Sequence, residues 1–133
     1  TNKWYHVAAV WNGSTFDIYI DGQYATGVPV GGETINLTRS DTRGFQIGAS
    51  YGGGRPLYGY VAEVRVWTRA LSQSEIANNM NYVDPHSEGL LAYWRMNAYE
   101  ADGSGNIVKD ETGHGNDAHG AQATPKMMDT KWL

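Results

Sequence analysis

At 133 residues the chain is long enough for one domain with a real core, and 41% hydrophobic, 18% charged residues and 17 Gly describe a loop-rich β protein. A formal charge of −4 without any basic run removes the electrostatic footing for nucleic-acid binding and makes an anionic membrane surface a poor partner. The absence of Cys excludes a disulfide framework and a thiolate metal site, and no apolar run reaches transmembrane length, so membrane insertion is not expected.

Lys3 to Trp11 is β-rich and ends at the turn dipeptide Asn12-Gly13. Phe16 to Ile20 alternates, Asp21-Gly22 follows, and Gln23 to Thr26 resumes, which is a strong short-range hairpin signal. Ile35 to Leu37 and Phe45 to Ala49 are shorter strand candidates, the second leading into Gly52-Gly53-Gly54. Tyr60 to Trp67 alternates, with Ala62, Val64 and Val66 on an apolar face and Glu63, Arg65 and Trp67 on the other.

Ser72-Gln-Ser-Glu75 is a capping box flanked by the hydrophobic staple Leu71 and Ile76, and it predicts a short helix over 73–81. Gly89 to Asn97 predicts a strand with Leu90, Ala92, Trp94 and Met96 on one face and Leu91, Tyr93 and Arg95 on the other. Ile107 and Val108 begin a last short strand before the turn-dense loop Asp110 to Asp117. Short strands, frequent turns and one brief helix predict an all-β fold, an antiparallel sandwich or jelly roll, in a single domain over 1–133.

Five segments in this order resemble the laminin G-like branch of the concanavalin A-like jelly rolls. They are Lys3-Trp-Tyr-His-Val-Ala8, Ile18-Tyr-Ile-Asp-Gly22, Phe45-Gln-Ile-Gly48, Tyr58 through Trp67, and Arg69-Ala-Leu-Ser-Gln-Ser-Glu-Ile76. Glu88 to Asn97 and Asp110 to Asp117 are similar to the closing segment of such domains, most of all in surface proteins of polysaccharide-degrading bacteria. The resemblance implies an extracytoplasmic, lectin-like module at the cell surface, in the periplasm or secreted. It also implies a C-terminal part of the domain, incomplete at the N-terminus, whose further strands come from another domain or chain.

For chemistry, the chain offers little that resembles catalysis. Glu100-Ala-Asp102 lacks the third acid of the Glu-x-Asp-x-x-Glu glycosidase strand, Glu63 stands alone, and neither Gly-x-Ser-x-Gly nor His-Glu-x-x-His occurs, so no enzyme is expected. His6 reads as structural, its ring tied to backbone, and His114 and His119 have no zinc spacing. The loop bearing Asp110, Asn116 and Asp117 could supply hard oxygens to a structural Ca2+, as related jelly rolls do, or could form an ordinary Asx-turn.

Sugars stack their C–H faces on aromatic rings and take hydrogen bonds from flanking polar groups. Tyr51, Arg55 and Tyr58 in a Gly-rich loop are therefore candidate oligo- or polysaccharide contacts, with Arg65, Trp67, Tyr93 and Arg95 on the polar faces of two strands. The alternative is a structural or protein-interaction module in which these rings pack under Arg stems or against another domain.

Overall fold

The computed structural model describes residues 3–30, 45–49, 55–97, 100–101 and 106–120. The strand candidate at 35–37, Tyr51, the Gly52–Gly54 run and Asp102 lie outside the described residues.

Within them the fold is all-β with one short helix, as expected, and every strand pair is antiparallel. The first sheet comprises β1 (Val7–Trp11), β2 (Thr15–Ile20) and β3 (Gln23–Pro29) in that spatial order. A second pairs β4 (Val64–Trp67) with β5 (Leu90–Trp94), and α1 (Gln73–Asn78) lies between them in sequence. The third joins β6 (Glu100–Ala101), β7 (Asn106–Val108) and β8 (Ala118–His119). Phe45–Ala49 forms no strand.

The β2–β3 connection is the predicted Asp-Gly hairpin. Asp21 and Gly22 both have positive φ, 49° and 75°, which matches the right-handed twist of the flanking strands. Asp21 also anchors the entry to β1, because its Oδ1 accepts from the His6 N–H at 2.9 Å. Gly22 is buried where α1 crosses the turn, and a Cβ there would sit 3.0 Å from the Ala77 Cβ and 3.1 Å from its Cα. Gly22→Ala should therefore combine left-handed strain with a clash against helix backbone and lower stability by about 2–4 kcal/mol. A urea midpoint within experimental error of the parent would contradict this packing.

The capping box forms as the sequence predicts: Ser72 Oγ accepts from the Glu75 N–H, and Glu75 Oε2 accepts from the Ser72 N–H at 2.8 Å. Glu75, ordinarily at 4.5, is held down to about 2, first by Arg69 and then by the Ser72 cap. The helix ends earlier than periodicity suggests, at Asn78, and has no basic residue in its last turn. Arg65 of β4 supplies one instead, donating to the Asn79 carbonyl at 2.7 Å and thus satisfying a helix-end acceptor.

Two apolar clusters flank β4–β5. One gathers Ala92, Trp94 and Val108 with Val64, Val66, Ile47 and Met96. The other gathers Val83, Leu90 and Tyr93 with Trp67. Both faces of this strand pair are thus packed, where the sequence predicts only one. A bulge between Val66 and Trp67 explains the regrouping of Leu90: it sets Trp67 opposite Leu90, and Leu90 joins Tyr93 rather than Ala92.

The first sheet behaves differently. Its face with Val7, Phe16, Ile20 and Val28 remains 41–63% exposed, although every one of these side chains is apolar.

Candidate functional site

The sequence places seven residues at a sugar surface, and the structure separates them. Tyr51 lies outside the described residues. Arg65, Tyr93 and Arg95 come together around Glu63; Arg65 and Tyr93 are turned inward there, while Arg95 stays exposed. Tyr93 is 0% exposed, and its hydroxyl donates to Glu63 Oε2. Arg65 donates to the same oxygen at 2.6 Å, with its guanidinium 4.9 Å from the Tyr93 ring centre. Arg95 reaches Glu63 Oε1 at 3.4 Å. Burial, and then the neighbouring Glu63, raise the Tyr93 phenol.

The expectation that Tyr93 presents its ring from an open sheet face is therefore corrected. The segment after α1, through Val83, closes that face, and a fully buried ring has no surface for a sugar to stack on. Trp67 keeps partial exposure, yet its ring packs in the same cluster beneath Arg69, whose guanidinium lies 5.6 Å from the ring centre. In both the Arg65–Tyr93 and the Arg69–Trp67 contacts it is a guanidinium that lies over the ring, a cation–π arrangement. Glu63 holds the junction at a positive φ of 57°, an uncommon backbone for a non-glycine residue, while its N–H donates to the Arg95 carbonyl at 3.3 Å.

Arg55 and Tyr58 have a different setting. Tyr58 is 94% exposed, Tyr60 61% and Leu57 56%. The Leu57 N–H donates to the Gly48 carbonyl at 2.7 Å and ties this loop to residues 45–49. Phe45, 69% exposed, stacks on Trp94 with ring centres 5.8 Å apart and planes 15° from parallel. The joined loops thus present Phe45, Tyr58 and Tyr60 on a support anchored in the core. Phe45 and Tyr60 fall in segments whose sequence predicts strands, and neither belongs to a strand in the structure. The signal available was the density of aromatics around the glycine run.

The loop 110–117 resolves as an Asx-type hub. Asp110 is 6% exposed. Its Oδ1 accepts from the Tyr93 N–H at 3.0 Å, the Thr112 N–H at 3.1 Å and the Thr112 hydroxyl at 2.7 Å, and its Oδ2 accepts from the Asn116 N–H at 3.2 Å. Burial alone would raise the Asp110 carboxyl, but these hydrogen bonds outweigh it and the net shift is downward. Asp117 accepts from the Asp110 N–H at 2.9 Å and from the Lys109 ammonium at 2.9 Å. The Asn116 carbonyl takes the Trp94 indole N–H at 2.8 Å.

These residues do not fit Ca2+. The carboxylate oxygens of Asp110 and Asp117 that a cation would need already face N–H and O–H donors, and an ammonium sits on one of them. Among the described residues no group of three or more His, Cys, Asp or Glu is arranged to hold a metal.

His6 also departs from expectation. Its backbone, not its ring, makes the hydrogen bond to Asp21, and its Nδ1 is buried without a partner among the described residues. Burial first, and then the charge of Arg65, lower its pKa against the pull of Asp21.

Comparison with known proteins agrees with this architecture. A family model described as the concanavalin A-like lectin/glucanases superfamily, of the laminin G type, matches residues 1–77. The crystal structure of a candidate carbohydrate-binding protein from Bacteroides ovatus superposes with a TM-score of 0.70 at 38% identity, over 86% of this chain and 33% of that one. The chain thus spans about one third of the length of that protein. No curated protein matches it.

Proposed function

Since the chain belongs to the concanavalin A-like lectin/glucanases superfamily, we propose that it is a non-catalytic carbohydrate-binding module that grips an oligo- or polysaccharide on its joined aromatic loops. The observation that carries this reading is the exposure of Phe45, Tyr58 and Tyr60 on a backbone pinned by the Leu57–Gly48 hydrogen bond. A backbone held this way loses little freedom on binding, and each ring can cover the apolar face of one sugar unit. The description of the Bacteroides ovatus relative points the same way.

No catalytic role is assigned to Glu63, because its oxygens are taken by Tyr93, Arg65 and Arg95. The resemblance to surface proteins of polysaccharide-degrading bacteria supports an extracytoplasmic location.

A glycan array probed with the intact chain tests the proposal. Reproducible binding should weaken about fivefold in Tyr58→Ala, corresponding to about 1 kcal/mol of stacking, while the melting temperature stays unchanged. A blank array from folded protein would sink it.

A second reading, an interaction or structural module, is favoured by the exposed apolar face of β1, β2 and β3. Two thirds of the solved relative lies outside the match, and we propose that polypeptide of that kind supplies a further β-layer over Val7, Phe16, Ile20 and Val28. The two readings use different surfaces and are compatible.

A further inference from the structure

Five of the six cations among the described residues have a carboxylate partner. Lys3 faces Asp21 at 3.9 Å, Arg65 faces Glu63 at 2.6 Å and Arg69 faces Glu75 at 2.7 Å. Arg95 faces Glu63 at 3.4 Å, and Lys109 faces Asp117 at 2.9 Å. Arg55 is the exception: among the described residues it has no ion pair, hydrogen bond or ring contact, and it is exposed. Its φ is 51°, in the left-handed region that a side chain enters at about 1–2 kcal/mol. Such strain tends to be kept where it serves a site. Arg55 stands three residues before Tyr58, and neither 45–49 nor 55–62 contains an acid.

We infer that the sugar bound on these loops carries a carboxylate, as a uronic acid unit does, and that Arg55 receives it. The inference rests on the glycan reading above. A ring stacked on Tyr58 or Phe45 turns its edge substituents outward, where a flanking guanidinium can meet a carboxylate with two parallel N–H donors. The chain's charge of −4 opposes polyanions at long range. At physiological salt the screening length is about 8 Å, so the cation beside the sugar outweighs acids farther away. A neutral sugar leaves Arg55 without that partner.

The test is affinity electrophoresis of the full chain in gels containing polygalacturonate, alginate or glucuronoxylan, each run beside its carboxyl-reduced form. At least one carboxylated polymer should bind about fivefold more tightly than its reduced counterpart, as expected for an exposed ion pair. Arg55→Gln, checked for folding by its thermal melt, should abolish that difference. Equal retardation by both forms, unaltered in Arg55→Gln, would overturn the inference and leave the glycan reading intact. Binding to a sulfated polymer alone, or to neutral glycans alone, would overturn it in the same way. Failure to bind any polymer in gels and on the array would overturn the glycan reading beneath it.

Discussion

Tyr93→Ala should lower stability by about 3–5 kcal/mol, the range for deleting a fully buried aromatic side chain. The ring is 0% exposed and touches Val83, Leu90 and Trp67, so its removal opens a cavity where β4, β5 and the post-helical segment meet. It also takes from Glu63 the phenol that helps to hold it between Arg65 and Arg95. Tyr93→Phe keeps the ring and should cost about 1–2 kcal/mol through the lost hydrogen bond alone. Chemical denaturation followed by Trp fluorescence measures both. Affinity for any glycan hit should be unchanged in Tyr93→Phe, since the hydroxyl points to Glu63 and not to ligand. A large loss of binding with unaltered stability would restore Tyr93 to the sugar site.

Asp110→Ala removes the acceptor for three backbone N–H groups and one hydroxyl. Each buried donor left unpaired costs about 1–3 kcal/mol, so a loss of about 3–5 kcal/mol is expected, and the loop should detach from β5. The wild-type chain carries a pH signature of the same hub. The folded pKa of Asp110 lies below its ordinary 3.8, so its contribution is fully present above 3.8 and is lost as pH falls through the folded value. Asp117, lowered by the Asp110 N–H and then by Lys109, adds to the same acid loss. Thermal melts should thus decline below about pH 4 in the parent and less steeply in Asp110→Ala. Chelator should leave the parent melt unmoved at neutral pH. A calcium-dependent rise in melting temperature would show that the loop holds the ion after all.

What could be read from the sequence was local. Asp21-Gly22 specifies a turn because both residues tolerate positive φ, and Ser72 with Glu75 specifies a helix start because the two groups cap each other. Neither depends on a distant partner. Strand faces were less legible. Alternation places Tyr93 opposite Trp94 correctly, but not the segment through Val83 that covers it. Nor does it mark the bulge at Val66/Trp67, which arises from pairing with β5 and regroups Leu90 with Tyr93. The two-residue strands β6 and β8 are too short to carry a period. For the site, Arg55 and Tyr58 were legible as an aromatic, Gly-flanked loop, whereas Phe45 was hidden by its β-like surroundings and shows its exposure only in three dimensions.

The most direct test of the account is a backbone amide NMR titration of the intact chain with the best-binding oligosaccharide. Shifts should concentrate at residues 45–49 and 55–60, while the amides of Arg65, Trp67 and Tyr93 stay within the noise. Shifts centred on Arg65 to Trp67 and Tyr93 to Arg95, with the aromatic loops silent, would contradict the inward packing of Arg65 and Tyr93 around Glu63 and the assignment of sugar binding to Phe45, Tyr58 and Tyr60.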